Sequence, residues 1–275
     1  MPRRARPSTT PPEPEAHVSG AERRWLAATY RPVSLFSLRI THATSKGGKS
    51  LVLPTPYAVK MALLDASFRR HGTETALPRA RELFDLIKWR KVRVLPPEHC
   101  VVQNTFVKVL DHSRESGDGP FRRTIAYREF AFFQGDMTIA LPSADFTEAQ
   151  QASVTELFAH INYFGKRGSF WQFLGAKTLE GDLSIGFTVA LTDGSLPGVS
   201  AYGMIRQLDD FGEKLCTASD GFDRVSTYGS GSIKLGEHRV LVPTAIPYRL
   251  RSASRNFTWY ERMSPPNHRS ITQGT

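Results

Sequence analysis

The first half of the chain switches between apolar spacings typical of strands and of helices. Residues 34–44 mix branched and aromatic side chains with polar ones, which predicts a first strand. A helix should follow, because Thr55 can cap its N-terminus, Pro56 suits its first position and Gly72 suits its C-cap. A second helix is predicted over residues 78–89, where leucines and phenylalanine recur on one face.

Strand-like patterning returns after residue 92. Residues 101–112 and 121–133 predict two long strands, and the intervening SRESGDGP predicts the tip of a hairpin. The segment MTIALP predicts another strand. The sequence TEAQ, residues 147–150, is a capping box that should begin a helix ending near Tyr163. Beyond residue 178 turn signals are frequent, which predicts a second antiparallel sheet packed on the first.

These elements predict an α+β fold. The order strand, helix, hairpin, helix, strand matches the βαββαβ plan of a ferredoxin-like (RRM-like) domain, with the helix at 78–89 as an insertion. We expect a disordered basic arm over residues 1–24, because this stretch is rich in proline and arginine and has little to bury. The domain with its projecting hairpin should span 25–177, and a β-rich region should span 178–275.

Charge and composition narrow the function. The 275 residues carry a formal net charge of +10, which favours polyanionic partners such as nucleic acid or an acidic membrane face. No apolar run approaches the roughly 18 residues that cross a bilayer, so we expect a cytoplasmic protein without a membrane partner. The two cysteines, Cys100 and Cys216, lack metal-ligand spacing, and we expect them to pack as small apolar side chains. No metal site or cofactor is predicted.

Two basic stretches are candidate contacts for phosphate. The loop SKGGKS carries Lys46 and Lys49 just before a helix N-terminus, which favours anions; an ordinary exposed loop is the alternative. The predicted hairpin is also basic, although charge on an edge hairpin can serve only to prevent aggregation. Its arginines are Arg114, Arg122, Arg123 and Arg128.

A third basic stretch, YFGKRGSF, is the most informative. Gly165 and Gly168 flank Lys166 and Arg167, so a sugar-phosphate backbone could approach the main chain and Ser169 while the two cations close over it. The alternative is a helix C-cap glycine followed by surface cations.

Three segments resemble the Cas-five family of CRISPR-associated proteins, members of the RAMP superfamily. LPTPYAVKMALLDA is similar to the family's proline-rich entry into its first helix. FRRTIAYREFAF resembles the strand after the family's hairpin, and INYFGKRGSFWQF resembles its aromatic-glycine-arginine loop. The three segments also occur in the family's order, over about residues 34–175.

The resemblance implies an RNA-binding structural subunit of a type I, Cascade-like interference complex. Such a subunit holds the 5′ handle of the crRNA on a ferredoxin-like palm, contacts the Cas-seven-type backbone subunits and the large subunit, and meets target nucleic acid indirectly. Its hairpin thumb would be residues 112–123, with Arg114 and Arg122 facing RNA. The implied handle contacts are Lys166, Arg167 and Ser169, with Tyr57 and Lys60 nearby.

An alternative is a metal-independent endoribonuclease that processes CRISPR repeat RNA, as one branch of the same family does. Tyr57 and Lys60 together with His42 or His71 would supply its catalytic groups. We expect a non-catalytic subunit, since ordinary core or surface histidines account for the same residues.

Overall fold

The computed structural model describes residues 23–40, 47–112, 121–193 and 203–263. Residues 1–22 of the predicted arm, which spans 1–24, lie outside the described residues. In chain order the strands are β1 (Arg24–Pro32), β2 (Leu38–Arg39), β3 (Gly47–Gly48), β4 (Ser50–Leu51), β5 (Arg93–Leu95), β6 (His99–His112), β7 (Phe121–Gln134), β8 (Met137–Pro142), β9 (Trp171–Glu180), β10 (Val189–Ala190), β11 (Met204–Phe211), β12 (Arg239–Ile246), β13 (Tyr248–Ala253) and β14 (Phe257–Arg262). The α-helices are α1 (Pro56–Arg70), α2 (Thr73–Ile87), α3 (Glu148–His160), α4 (Glu213–Thr217) and α5 (Gly221–Val225).

The first strand lies earlier than predicted. β1 begins at Arg24 and buries Leu26, Ala28 and Tyr30. Of the predicted strand at 34–44, residues 41–44 lie outside the described residues, and the described part contains only the two-residue strand β2. β1 is an inner strand, paired with β8 on one side and β9 on the other. Leu26, Ala27 and Ala28 are buried in succession, so β1 lacks the strict alternation of buried and exposed positions that identifies a half-exposed strand.

The helices follow their local signals. The Thr55 hydroxyl accepts a hydrogen bond from the Ala58 N–H, and Pro56 opens α1, as predicted. The capping box of α3 is also confirmed, with Gln150 N–H donating to Thr147 Oγ1 at 3.2 Å. The predicted C-cap at Gly72 is wrong: His71 caps α1, and Gly72, at φ 38°, leads into α2 five residues earlier than expected.

Four strands form an antiparallel sheet in the order β5-β8-β1-β9. Tyr30 connects β1 to α3, because its hydroxyl donates a hydrogen bond to the Phe158 carbonyl of α3 at 2.6 Å. The Tyr30 ring also packs edge-on against Phe164 and Phe173. Helix α3 is thereby held on the sheet next to the loop that precedes β9.

The predicted hairpin is present. β6 and β7 pair without a break from His99 with Gln134 to His112 with Phe121.

The C-terminal region is β-rich, as predicted, but it does not form one separate sheet. β14 pairs with β6, giving a five-stranded sheet in the order β13-β14-β6-β7-β3, while β10, β12 and β11 form a three-stranded sheet.

Both cysteines are free and buried, as expected from the sequence. Burial raises the pKa of the Cys216 thiol to about 11, so the thiol stays protonated at neutral pH. In the part of the chain that the structure describes, no helix combines the length and apolarity needed to cross a membrane.

Candidate nucleic-acid interface

The GKRG loop, residues 165–168, is a tight turn that requires both of its glycines. Gly165 and Gly168 have φ values of 65° and 95°, which side chains other than glycine rarely adopt. The turn closes with a hydrogen bond from Ser169 N–H to the Lys166 carbonyl at 3.2 Å. A Cβ at Gly168 would meet nothing within 4 Å, so conformation rather than lack of space explains this glycine. Lys166 and Arg167 are exposed at the turn.

Ser169 is buried, which conflicts with its predicted contact to RNA. Its Oγ accepts a hydrogen bond from Ser37 N–H and lies within donating distance of the Ser37 carbonyl, both at 3.2 Å. The hydroxyl is therefore used inside the protein. Ser169 fixes the GKRG loop to the segment that precedes β2.

The GKRG loop opens onto a cavity of about 210 Å³ at the N-terminus of α1. Three cationic residues, Arg39, Lys166 and Arg239, line it together with Thr55, the cap of α1. Asp209 forms an ion pair with Arg239, so the cavity keeps a positive excess of charge. Neither Arg39 nor Arg239 was among the predicted site residues.

The structure places Lys60 in the core, which conflicts with its predicted position beside RNA. The side chain is 1% exposed; its Nζ lies 2.7 Å from Asp210 Oδ1 and donates to the Lys88 carbonyl at 3.1 Å. Tyr57 is half-buried, and desolvation raises the pKa of its phenol. The Arg239 guanidinium lies 4.2 Å from the centre of the Tyr57 ring. Both residues hold α1 against the three-stranded sheet.

The second predicted stretch leads into a trough across the hairpin. Lys46 lies outside the described residues; Lys49 is exposed and follows β3, which pairs in parallel with β7. The trough has a volume of about 700 Å³. Its floor includes Phe106 and Tyr127, which are exposed register partners. Lys49 lines one side, and Arg255, from the turn between β13 and β14, also lines it.

The hairpin arginines do not form one cluster. Arg114 lies outside the described residues. Arg122 and Arg128 are separated by an even number of residues on β7 and share one face of the hairpin, whereas Arg123 lies on the other. Arg128 bends toward the edge, where its Nη1 donates to the Tyr127 carbonyl at 2.8 Å.

The cavity and the trough are joined by the short β2–β4 ladder. Leu38, Arg39 and Leu51 of this ladder line the cavity, and Lys49 beside it lines the trough. Ser50 N–H donates to Glu129 Oε2 at 2.8 Å, which attaches the ladder to β7. The result is a continuous surface with basic residues along it, running from the GKRG loop to the base of the hairpin.

Of the groups proposed for RNA cleavage, those that the structure describes are not brought together. Tyr57 and His71 lie at opposite ends of α1, about 21 Å apart at 1.5 Å per residue. Lys60, between them, is buried in its ion pair. His42 lies outside the described residues. Among the residues that the structure describes, no cluster of three His, Cys, Asp or Glu side chains suited to a metal ion occurs.

Two of the solved structures that are similar to this chain resemble it only weakly. A crystal structure of a CRISPR protein from Archaeoglobus fulgidus aligns with a TM-score of 0.41 and 14% identity, over 88% of this chain and 92% of that one. A cryo-EM structure of the Type III-B Cmr-beta bound to cognate target RNA aligns with a TM-score of 0.34 and 12% identity, over 86% of each chain. Both scores are below 0.5, so we base no argument on them.

The sequence comparison is more direct. No protein-family model matches the chain. A curated relative from Archaeoglobus fulgidus, described as CRISPR-associated protein Cas5, is 26% identical over 147 residues. The match covers 53% of this chain and 61% of the relative, less than two thirds of that protein's length. This match supports the resemblance to the Cas-five family of RAMP proteins that the three sequence motifs indicated.

Proposed function

We propose that this chain is an RNA-binding structural subunit of a cytoplasmic CRISPR interference complex and that it caps the 5′ handle of the crRNA. The observation that carries the proposal is the convergence of basic residues from distant parts of the sequence. Arg39, Lys49 and Lys166 lie along one continuous surface that joins a basic cavity to an aromatic trough. Phosphate contacts together with stacking of splayed bases are the usual means of holding a single RNA strand.

The sheet order supports a ferredoxin-like palm for this subunit. β1 and β5 flank β8, and both pair with it in antiparallel fashion, so they run parallel to each other with one strand between them. Helix α1 lies between β1 and β5 in the sequence. This is the split βαβ arrangement. The β6–β7 hairpin would be the thumb that contacts a Cas-seven-type backbone subunit, and the large subunit and target nucleic acid would meet the assembled complex around it.

Replacing both cations of the GKRG loop tests the proposed RNA contact. In K166A/R167A we expect weaker binding of repeat-derived RNA, because two phosphate contacts are lost. The slope of log K against log salt should become shallower by about 1.4, at about 0.7 per phosphate on a single strand. Fluorescence anisotropy with labelled RNA at several salt concentrations measures both quantities.

The matched control removes two exposed cations outside this surface, R79A/K214A. Its salt slope should change less than that of K166A/R167A. An unchanged slope in K166A/R167A would remove the GKRG loop from the RNA site and with it the main support for the proposal.

We also propose that the subunit is not a nuclease. The burial of Lys60 and the separation of Tyr57 from His71 support this, and no observation favours the endoribonuclease alternative. We expect repeat RNA to remain intact when incubated with the purified protein in EDTA. Cleavage at a unique position that H42A/H71A abolishes would instead establish the alternative.

A further inference from the structure

The outer face of the five-stranded sheet is aromatic where a solvent-facing sheet surface is ordinarily polar. On the inner face Cys100, Ala131 and Phe133 are buried in the core. Side chains alternate along each strand, so the intervening positions point away from the core. On three neighbouring strands these outward positions hold Val101 and Gln103 of β6, Phe130 and Phe132 of β7, and Phe257 and Trp259 of β14.

The strand register arranges the four rings regularly. Val101 pairs with both Phe132 and Trp259, so these two rings flank it in one row. Gln103 is flanked in the same way by the other two rings in the next row. With strands about 4.8 Å apart and alternate residues about 6.7 Å apart, the rings lie at the corners of a rectangle of about 10 by 7 Å.

This aromatic platform is accessible, and one of its rings is fixed in position. Phe132 is 49% exposed and Phe257 is 36% exposed. Neither ring, nor Phe130 or Trp259, belongs to the buried core cluster. Trp259 is held by a hydrogen bond from its Nε1 to His99 Nδ1 at 3.3 Å and by an edge-to-face contact with the same imidazole. A ring that is already oriented loses little conformational entropy when a ligand stacks on it.

The edge of the platform is positively charged. Arg249 and Arg251 of β13 are both more than half exposed, and they share one carboxylate, Glu261, at 2.8 and 3.8 Å. The cluster therefore keeps an excess positive charge next to the rings. Ordered rings with guanidinium groups at their edge are the combination by which proteins bind single-stranded nucleic acid, since bases stack on the rings and phosphates meet the cations.

We propose that this outer face binds unpaired bases of single-stranded nucleic acid, as a surface separate from the proposed handle site. The aromatic side chains of the two surfaces lie on opposite sides of the same sheet, because Phe106 and Tyr127 of the trough continue the inner-face alternation of Cys100 and Phe133. Stacking engages the faces of the bases and not the sugar. The platform should therefore accept RNA and DNA alike.

The test replaces the two most exposed platform rings in the full-length protein. We expect F132A/F257A to bind labelled oligo-uridine and oligo-thymidine more weakly, by about tenfold for each ring, with both sugars affected equally. The salt slope should stay at the wild-type value, because no phosphate contact is removed. The variant F132Y/F257Y keeps the rings and should bind as the wild type does.

A matched control is L250A, since Leu250 is a strongly exposed apolar side chain whose pairing with Tyr260 places it on the opposite face. It should leave both affinities unchanged. Failure of K166A/R167A to alter the salt slope would refute the handle site without affecting this result. Oligonucleotide binding that F132A/F257A does not weaken would overturn the platform, and loss of a co-purifying protein subunit in that variant would assign the face to a protein partner instead.

Discussion

Replacing Lys60 by methionine should lower the free energy of unfolding by about 3–5 kcal/mol, because it leaves a buried carboxylate without its cation. The Lys60 amine has two partners in the core, Asp210 Oδ1 and the Lys88 carbonyl. It also lies 5.1 Å from the centre of the Phe211 ring. Methionine fills similar space but offers no donor to either oxygen. Urea denaturation followed by circular dichroism measures the loss.

The pH dependence of this loss identifies its source. Burial raises the pKa of the Asp210 carboxyl, while Lys60 and the Phe211 N–H oppose the rise. Without Lys60 that pKa should rise further. An acid with a raised folded-state pKa destabilises the protein fully above that pKa and progressively less as the pH falls toward its unfolded-state pKa, so the difference between wild type and K60M should shrink as the pH is lowered through this range.

The control is K60M/D210N, in which the second side chain is neutral at every pH. This double variant should recover part of the lost stability at neutral pH, and its difference from K60M should vanish under acid conditions. A loss below 1 kcal/mol in K60M would contradict the structural role of the ion pair.

Lys60 also illustrates what sequence patterns could and could not predict. The helix that carries it was predictable, because the signals of Thr55 and Pro56 are adjacent to it in the sequence. Its burial was not predictable, because the partner Asp210 is 150 residues away and lies on β11. The same contrast separates the confirmed hairpin from β1, whose place as an inner strand depends on pairing with the distant strands β8 and β9.

The candidate site divides in the same way. Lys166 and Arg167 were found because the flanking glycines, which adopt positive φ, are a local signal. Arg239 and Arg255 were missed because each reaches the surface through pairings between remote strands, β12 with β11 and β14 with β6. Ser169 was predicted to contact RNA because it directly follows the GKRG loop in the sequence. Its hydrogen bonds to Ser37 could not be predicted from the sequence.

Serine at two apolar positions of the hairpin should prevent assembly with the proposed backbone subunit while leaving the fold intact. Leu110 is 68% exposed and Phe121 is 55% exposed, on one face of β6 and β7. Phe106, Ile125 and Tyr127 extend this face toward the trough and are also exposed. Lys108 and Arg123 lie on the same face, between these side chains. Exposed apolar side chains concentrated on one face of a projecting element indicate a protein contact.

If both side chains are central to that contact, each serine should weaken it by about 2 kcal/mol or more, about thirtyfold, and L110S/F121S by about a thousandfold. Co-expression with the neighbouring subunits of the same operon, followed by affinity purification, measures the fraction assembled. L77S/L235S is the control, since both leucines are exposed away from the hairpin.

The stability of L110S/F121S in isolation separates two interpretations of the hairpin. Exposed side chains contribute little to folding, so its free energy of unfolding should stay within about 0.5 kcal/mol of the wild type. If the stability is unchanged in this way, loss of assembly identifies the apolar face of the hairpin as the surface that contacts the neighbouring subunit. Unfolding of the isolated variant would instead make the hairpin part of the core, and normal assembly would place the subunit contact on another surface.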